Sequence, residues 1–135
     1  MKTYHGTSKT YSRSILQNGI DFTKGGGELG QGFYVGDLLH RACAWAWNKY
    51  GNDSSVIVFD LNDSEFLKLN LEILDSIQAT ELRGRIRKQN GTRKYVRGVD
   101  AIWAPIVGQK IPYFNQIKFE SSAKQFLTNT KISKW

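Results

Sequence analysis

Short runs of apolar or alternating residues recur along the chain and are separated by turn-forming residues. The clearest run, Ser-Val-Ile-Val-Phe-Asp-Leu at 55–61, is β-branched and lies between Gly51-Asn52-Asp53 and Asn62-Asp63. Such a run is typical of a central strand. Further strands are predicted at 4–7, 33–35, 65–69, 99–104 and 115–119.

Apolar residues at three- and four-residue spacing predict the helices. Ser8 is a suitable N-cap for the first helix, and Asn18-Gly19 is a typical left-handed end for it. Asp37 is expected to cap a second helix that ends at Tyr50. The apolar face of that helix comprises Leu38, Leu39, Ala42, Trp45 and Ala46. The inward residues of a third, mainly helical segment at 71–88 are Leu71, Leu74, Ile77 and Leu82, and a last amphipathic stretch covers 121–127.

Strands and helices are mixed without a βαβ repeat, which predicts an α+β fold with a largely antiparallel sheet. The chain has 135 residues, 40% of them hydrophobic, and no linker or internal repeat, so we expect one domain over 1–135. The single cysteine, Cys43, excludes an internal disulfide. Because neither a leader-like segment nor a long apolar window is found, a cytoplasmic location away from membranes is expected.

Five glycines fall within the nine residues from Lys24 to Gly32, which predicts a loop. Residues 25–30 formally match G-x-G-x-x-G, but they follow a helix end and lead into a strand, the reverse of a dinucleotide-binding fold. A phosphate-binding P-loop is also excluded, because Gln31-Gly32 stands where Lys-Ser/Thr would be needed. The glycines indicate only a close approach of the backbone to something.

Positively charged residues are unevenly distributed along the chain. The chain carries 19 Lys and Arg against 12 Asp and Glu, a net charge of +7. The whole excess lies between 83 and 97, where seven cations occur without a carboxylate: Arg83, Arg85, Arg87, Lys88, Arg93, Lys94 and Arg97. Three interpretations stay open: a solvated helix face, an acidic protein partner, or a nucleic-acid surface on which Tyr95 stacks on a base.

Metal and nucleophile chemistry is not indicated. His40 and Cys43 lie three positions apart and a distant His5 does not complete a zinc site, so no metal is expected. Cys43 lies between Ala42 and Ala44 and is typical of a small buried thiol. The chain has no G-x-S-x-G serine motif.

One constellation is more specific. It combines Tyr4-His5-Gly6-Thr7-Ser8, the helix end at Asn18-Gly19-Ile20, Gly30-Gln31-Gly32-Phe33-Tyr34, and Ala42-x-x-Trp45-Ala46. This combination resembles the ADP-ribosyltransferase fold of the poly(ADP-ribose) polymerase-like (diphtheria-toxin-like, H-Y-E) branch, particularly its small bacterial DUF3990-type members. The resemblance covers residues 3–46 well and 97–127 loosely. It implies split, largely antiparallel sheets with flanking helices, and NAD as a substrate.

The resemblance also implies roles for individual residues. His5 would bind a ribose hydroxyl of NAD, Gly6 would offer backbone hydrogen bonds to the nicotinamide amide, and Thr7 would belong to the same NAD-binding segment. Tyr34 would stack on the nicotinamide ring, with Trp45 on its other side. Gln116 would stand where active transferases carry an acidic residue that binds the ribose.

Gln116 carries no charge, whereas cleavage of the nicotinamide bond favours a carboxylate near the ribose. Glu28 and Glu120 are candidates to supply it. The resemblance thus implies a mono-ADP-ribosyltransferase acting on a protein or nucleic-acid acceptor, in a bacterial or phage toxin or defence setting with a cognate antitoxin. Two alternatives are a catalytically silent domain that binds NAD, ADP-ribose or a partner, and a basic nucleic-acid-binding module.

Overall fold

In the computed structural model, which describes residues 1–108 and 114–135, seven strands form one mixed sheet. The strands are β1 Lys2–Ser8, β2 Phe33–Gly36, β3 Ser54–Asp60, β4 Leu71–Ile73, β5 Ala101–Pro105, β6 Asn115–Phe119 and β7 Lys131–Lys134. The helices are α1 Lys9–Asn18, α2 Leu39–Tyr50, α3 Asp63–Leu67, α4 Ser76–Lys88 and α5 Lys124–Thr128.

The strand order is β4-β5-β6-β2-β1-β3-β7, and within the described ranges only β4 and β5 pair in parallel. The predicted α+β class with a largely antiparallel sheet is therefore confirmed. The sheet is continuous, but its two halves join through a single register pair, Tyr4 with Gly36, between β1 and β2. By contrast, β1 pairs with β3 along its whole length, from Lys2 to Ser8.

Alternation along the strands divides the core between the two faces of the sheet. Phe33 and Phe119 belong to a cluster that α3 and α5 cover on one face. Ile102 and Ala104 belong to a second cluster on the other face, where they meet the apolar side of α4. Because Tyr34 packs against this second cluster, its ring lies on the face of α4.

Capping residues explain where the first two helices begin. Ser8 caps α1 as predicted, since its hydroxyl accepts a hydrogen bond from the Tyr11 N–H. The prediction that Asp37 caps α2 is wrong, because α2 begins after Leu38 without a side-chain cap. The Asp37 carboxylate instead accepts from the backbone N–H and the side-chain amide of Asn115, at 3.0 and 3.1 Å.

Two element predictions are corrected between residues 62 and 88. The segment 65–69 is not a strand, because Asn62 caps α3 and turns Phe66 into the core. The segment 71–88 is not one helix either. Residues 71–73 extend alongside β5, and α4 begins only after Asp75, which forms a capping box with Gln78.

The apolar faces predicted for α2 and α4 hold only in part. Leu82 and Leu74 are buried, but Ile77 is 71% exposed. On α2 Ala46 is fully buried, whereas Trp45 is half exposed. The predictions missed β7, which pairs with β3 at the edge of the sheet. Within the described part of the chain, no helix has the length and apolarity needed to cross a membrane.

Candidate functional site

The two halves of the sheet separate immediately beyond the pair Tyr4–Gly36. A ladder continued in the same register would pair Gly6 with Tyr34, but the ladder ends before them. The imidazole of His5 lies in the opening, with its Nδ1 atom 2.6 Å from the carbonyl oxygen of Tyr34. The His5 side chain therefore takes the carbonyl that a continued ladder would have used.

The hydrogen bond to Tyr34 determines which nitrogen of His5 carries the proton. A carbonyl oxygen only accepts, so Nδ1 is protonated and the neutral ring has a bare Nε2. The ring stacks on Phe33 with the centroids 4.3 Å apart, and burial lowers the pKa of His5 to about 4. Nε2 has no hydrogen-bond partner among the described residues. His5 thus offers one acceptor to a ligand hydroxyl.

Gly6 presents its backbone to the opening. Residues of β1 direct their N–H and C=O groups alternately toward β3 and toward β2. Because Met1 exchanges two hydrogen bonds with Leu61, just beyond β3, the groups of Gly6 point toward β2. A Cβ atom at Gly6 would lie 2.5 Å from the Ala42 oxygen and 3.3 Å from Ala46 Cβ. Helix α2 therefore packs on this strand only because position 6 is a glycine.

The phenol of Tyr34 is bound into the glycine loop. Its hydroxyl donates to the Gly30 carbonyl at 2.5 Å and accepts from the Leu29 N–H at 3.1 Å. A Cβ atom on Gly27 would lie 3.2 Å from Tyr34 Cζ, so the loop passes directly across the ring. Burial raises the pKa of Tyr34 above its usual value, and the phenol is therefore neutral at physiological pH.

Gln116 and Glu28 meet on the same side of the sheet as Tyr34. The Gln116 amide donates to Glu28 Oε1 at 3.2 Å, and Gln116 is only 6% exposed. The Glu28 carboxylate also accepts from the backbone N–H groups of Val107 and Gly108, at 3.0 and 2.7 Å. Arg83 Nε lies 3.5 Å from Glu28 Oε2. The structure thus places a carboxylate directly against the carboxamide of position 116.

The glycine loop is anchored on the basic segment. The backbone N–H of Gln31 donates to the Tyr95 carbonyl at 2.8 Å, and its side-chain amide donates to the Arg93 carbonyl at 2.9 Å. Arg93 in turn donates to the Lys24 carbonyl at 2.9 Å. The loop that carries Glu28 therefore rests on the turn that follows α4.

Tyr34, Gln116 and Glu28 lie on one face of the sheet. His5 contacts Tyr34 only at its carbonyl oxygen, and its ring stacks on Phe33 of the opposite face.

Two other predicted residues lie elsewhere. Trp45 is 50% exposed, packs edge-on against Tyr50 and has Lys49 Nζ 4.9 Å above its ring. Within the described residues it makes no ring contact with Tyr34, so the predicted aromatic sandwich is not formed in this arrangement. Thr7 is buried in the pairing of β1 with β3.

Glu120 serves a different contact from the one predicted. Its carboxylate binds the Nζ of Lys118 and accepts from the backbone N–H groups of Arg97 and Gly98, at 2.7 and 2.8 Å. Lys118 is fully buried, and burial lowers its pKa although the Glu120 carboxylate opposes this shift. The pair holds the end of β6 to the basic segment, away from Gln116.

The seven cations of the basic segment divide into two groups. Arg97 forms a forked ion pair with Glu72, at 2.7 Å, and also contacts the Tyr95 hydroxyl. Arg83 pairs with Glu28, as described above. The exposed cations without a carboxylate partner in the described structure are Arg85, Arg87, Lys88, Arg93 and Lys94.

Two shallow grooves lie outside this constellation. One, of about 560 Å³, runs between α2, β3 and β7 beside Cys43, Trp47 and Trp135. The other, of about 660 Å³, follows the outer side of α4 beside Arg85 and Lys88. Neither is lined by His5, Tyr34 or Gln116. We place the site at the opening between β1 and β2 because the backbone groups of Gly6 and the imidazole of His5 lie there, and neither residue lines one of the grooves.

Sequence reasoning missed two contacts that fix the strands around the site. Lys118 lies between Gln116 and Glu120 along a predicted strand. Because alternate residues of a strand share a face, this spacing is a sequence signal of an ion pair between Lys118 and Glu120. The bond between Asp37 and Asn115, which fixes β2 against β6, has no such local signal. Among residues 1–108 and 114–135, no group of three or more His, Cys, Asp and Glu side chains is arranged to hold a metal ion.

Comparison of the chain with models of protein families gives no match, and comparison with curated proteins gives none either. The interpretation of the site therefore rests on its own geometry and on the sequence pattern.

Proposed function

We propose that the chain is an NAD-dependent mono-ADP-ribosyltransferase, which transfers ADP-ribose from NAD to a macromolecular acceptor. The nicotinamide nucleotide would enter the opening between β1 and β2. The proposal also assigns the seven-stranded α+β fold to the ADP-ribosyltransferase class, because the narrow join at Tyr4–Gly36 resembles the split sheet expected for it.

The observation that carries the proposal is the interruption of the ladder at Gly6 and Tyr34. It directs one N–H and one C=O of Gly6 into the opening. A planar carboxamide such as that of nicotinamide needs one donor and one acceptor side by side, which is what a free strand residue offers. The bare Nε2 of His5, next to this residue, is suited to accept a hydrogen bond from a ribose hydroxyl.

Gln116 and Glu28 fit the chemistry of the transfer. The bond between the ribose C1′ atom and the nicotinamide nitrogen breaks, and nicotinamide leaves with the electron pair. The acceptor forms a new bond to C1′ and loses a proton. Positive charge develops on the ribose in the transition state, so a carboxylate within reach stabilises it. Glu28 would supply the negative charge of this carboxylate, and Gln116 would orient the ribose.

Ligand binding requires a movement of the glycine loop. In the present arrangement Gly27 covers the Tyr34 ring, and the Gly30 carbonyl accepts a hydrogen bond from its hydroxyl. The nicotinamide ring can reach Tyr34 only if Gly27 moves away from it, while Glu28 stays bound to the N–H groups of Val107 and Gly108. Glycine backbone allows such a change at low steric cost. The positively charged nicotinamide ring would then gain a favourable aromatic contact in place of the loop.

A catalytically silent domain that binds NAD or ADP-ribose is the second candidate. The observation that favours it is the pairing of the Glu28 carboxylate with Arg83 and with two backbone N–H groups. A carboxylate compensated in this way stabilises positive charge less effectively than a free one. Binding without turnover distinguishes this candidate from the transferase.

Incubation with radiolabelled NAD and a cell lysate tests the proposal, with two variants of His5 compared. His5→Asn keeps a side-chain N–H that can donate to the Tyr34 carbonyl but lacks the Nε2 acceptor. His5→Ala removes both. We expect covalent labelling by the native chain and a loss of at least tenfold in both variants, while the Tm of His5→Asn stays closer to that of the native chain.

Calorimetry with NAD separates the two candidates. Labelling by the native chain that both variants lose supports the transferase. Heat of binding without labelling supports the silent form. Absence of both heat and labelling rejects the NAD site. Full labelling by His5→Asn also rejects it, because the shorter amide places no acceptor at the position of Nε2.

A further inference from the structure

The exposed cations of the basic segment lie at the end of α4 and in the turn that follows it. Arg85, Arg87 and Lys88 lie in the last turn of α4, while Arg93 and Lys94 lie in the turn that follows it. We call these five residues the basic surface. All five are exposed, and none has a carboxylate within ion-pair distance in the part of the chain that the structure describes.

The helix dipole stabilises only some of these cations. Cations in the last turn of a helix are stabilised by the partial negative charge of its C-terminus. That effect decays within one turn, and it does not reach Lys94, which lies beyond the helix. Five unpaired cations repel one another, so their proximity is unfavourable unless an anionic ligand compensates for it.

The surroundings of the basic surface favour a phosphate backbone over an acidic protein. The groove along the outer side of α4, which contains two of the five cations, is lined by Thr80, Glu81, Gly84, Arg85 and Lys88, none of them a large apolar residue. Stable protein interfaces have an apolar centre, whereas contacts to phosphates need only cations and small polar groups. Guanidinium groups also match the geometry of phosphate oxygens.

The structure removes the stacking role that the sequence suggested for Tyr95. Its hydroxyl contacts Arg97, and a Cβ atom on Gly30 would run into its ring and backbone. The ring is thus packed against the glycine loop. Without an exposed aromatic platform the surface is suited to the regular backbone of a duplex and less to unstacked single-stranded bases.

We propose that the basic surface binds the phosphate backbone of duplex nucleic acid. The surface adjoins the glycine loop, since Gln31 binds the Arg93 carbonyl and Arg93 binds the Lys24 carbonyl. A bound duplex would therefore lie beside the loop that carries Glu28. The inference depends on charge and placement alone, so it holds or fails independently of NAD chemistry.

Fluorescence anisotropy with a short labelled DNA duplex, without NAD, tests this proposal across a range of salt concentrations. The test variant combines Arg85→Ala, Lys88→Ala and Lys94→Ala. The control variant combines Lys2→Ala, Lys124→Ala and Lys131→Ala, which lowers the net charge equally but at exposed positions outside the basic surface. Alanine is a strong helix former, so α4 should persist, and circular dichroism checks this.

Each phosphate contact contributes about 0.9 to the slope of log affinity against log salt. We expect the test variant to lose affinity at least tenfold and its slope to fall by about 2.7, which corresponds to three contacts. The control variant should keep the slope of the native chain. Glu81→Gln, which removes the carboxylate from the groove, should raise the affinity.

A flat salt slope, or an equal loss in the test and control variants, would overturn the proposal. Competition by poly-glutamate as effective as competition by duplex would also overturn it and indicate an acidic protein ligand. A single strand that binds at least tenfold more tightly than the duplex rejects the assigned form of the nucleic acid. Duplex RNA and duplex DNA of equal length complete the comparison, and preferential binding of either supports the proposal.

Discussion

The carboxamide of Gln116 donates a hydrogen bond to the carboxylate of Glu28, although the two residues lie 88 positions apart in the chain. The glycine loop thus carries a negative charge to a strand that has none at this position. Because Glu and Gln have the same shape, exchanging the two residues moves the negative charge from position 28 to position 116 and keeps the contact between the side chains.

Exchanging the charge gives the first prediction. Glu28→Gln keeps the side-chain shape but removes the charge, and we expect it to lower ADP-ribose transfer at least tenfold because the developing ribose cation loses its stabilisation. The double variant Glu28→Gln/Gln116→Glu places the carboxylate on the other strand and should recover a large part of the activity. Single-turnover rates measure both effects.

The single variant Gln116→Glu is the control for that exchange. Two carboxylates would then lie within hydrogen-bond distance, which raises the pKa of one of them. We expect its transfer rate to rise as the pH is raised through this pKa, because a second negative charge then faces the developing ribose cation, a dependence that the double variant lacks. A double variant as inactive as Glu28→Gln would show that Glu28 acts by holding Val107 and Gly108 and not by its charge.

The second prediction concerns the pH dependence of stability. The pKa of His5 is about 4 in the folded protein against 6.5 for an unperturbed histidine. Since the unfolded state takes up the proton first, the stabilisation is complete above pH 6.5 and is lost as the pH falls toward 4. The loss amounts to roughly 3 kcal/mol, because one pKa unit corresponds to about 1.4 kcal/mol.

Urea unfolding of the native chain and of His5→Asn at pH 7.5 and pH 4.5 measures the contribution of His5 to the free energy of unfolding. The other titrating groups are the same in both proteins, so the difference between their pH dependences isolates His5. We expect the native chain to lose roughly 2 to 3 kcal/mol more than the variant. Equal losses would mean that the imidazole is protonated as readily in the folded chain as in the unfolded one.

The elements that the sequence predicted well are those specified by local patterns. The β-branched run at 55–61 is β3, the segment 115–119 is β6, and Ser8 caps α1 through its own hydroxyl. In each case the decisive interactions are burial of neighbouring residues or a hydrogen bond to the next turn. These interactions leave a periodic signal in a short window of sequence.

The errors occur where a distant partner decides the structure. Asp37 was suited to cap α2, but Asn115, brought beside it by β6, offers two donors and takes the carboxylate. Leu71 joins β4 because Ala101 of β5 pairs with it. The contact between Glu28 and Gln116 is of the same kind. No local pattern contains the position of the partner strand, so such contacts are visible only in the folded chain.

The third prediction tests the close approach at Gly6. Gly6→Ala places a methyl group 2.5 Å from the Ala42 carbonyl oxygen, and helix α2 must move away from β1. Overpacking of this kind costs roughly 1 to 3 kcal/mol. Thermal unfolding should show a lower Tm, and NAD binding should weaken because the backbone groups of residue 6 shift with the strand.

Gly84→Ala is the matched control for Gly6→Ala. Gly84 lies on the exposed side of α4 and a Cβ atom there meets nothing within 4 Å. Alanine is favoured over glycine within a helix by about 1 kcal/mol, so this variant should raise the Tm. A Gly6→Ala chain as stable as the native one would contradict the packing of α2 against β1.

The last prediction concerns the buried pair of Lys118 and Glu120. Lys118→Met fills a similar volume but leaves the Glu120 carboxylate with only the backbone donors of Arg97 and Gly98. Removal of one member of a buried ion pair costs roughly 3 to 5 kcal/mol, because the other charge stays without compensation. The double variant Lys118→Met/Glu120→Gln removes both charges and should be more stable than Lys118→Met alone. Chemical unfolding of the native chain, Lys118→Met, Glu120→Gln and the double variant gives the coupling energy between the two side chains. A coupling energy near zero would contradict the assignment of this pair as the anchor between β6 and the basic segment.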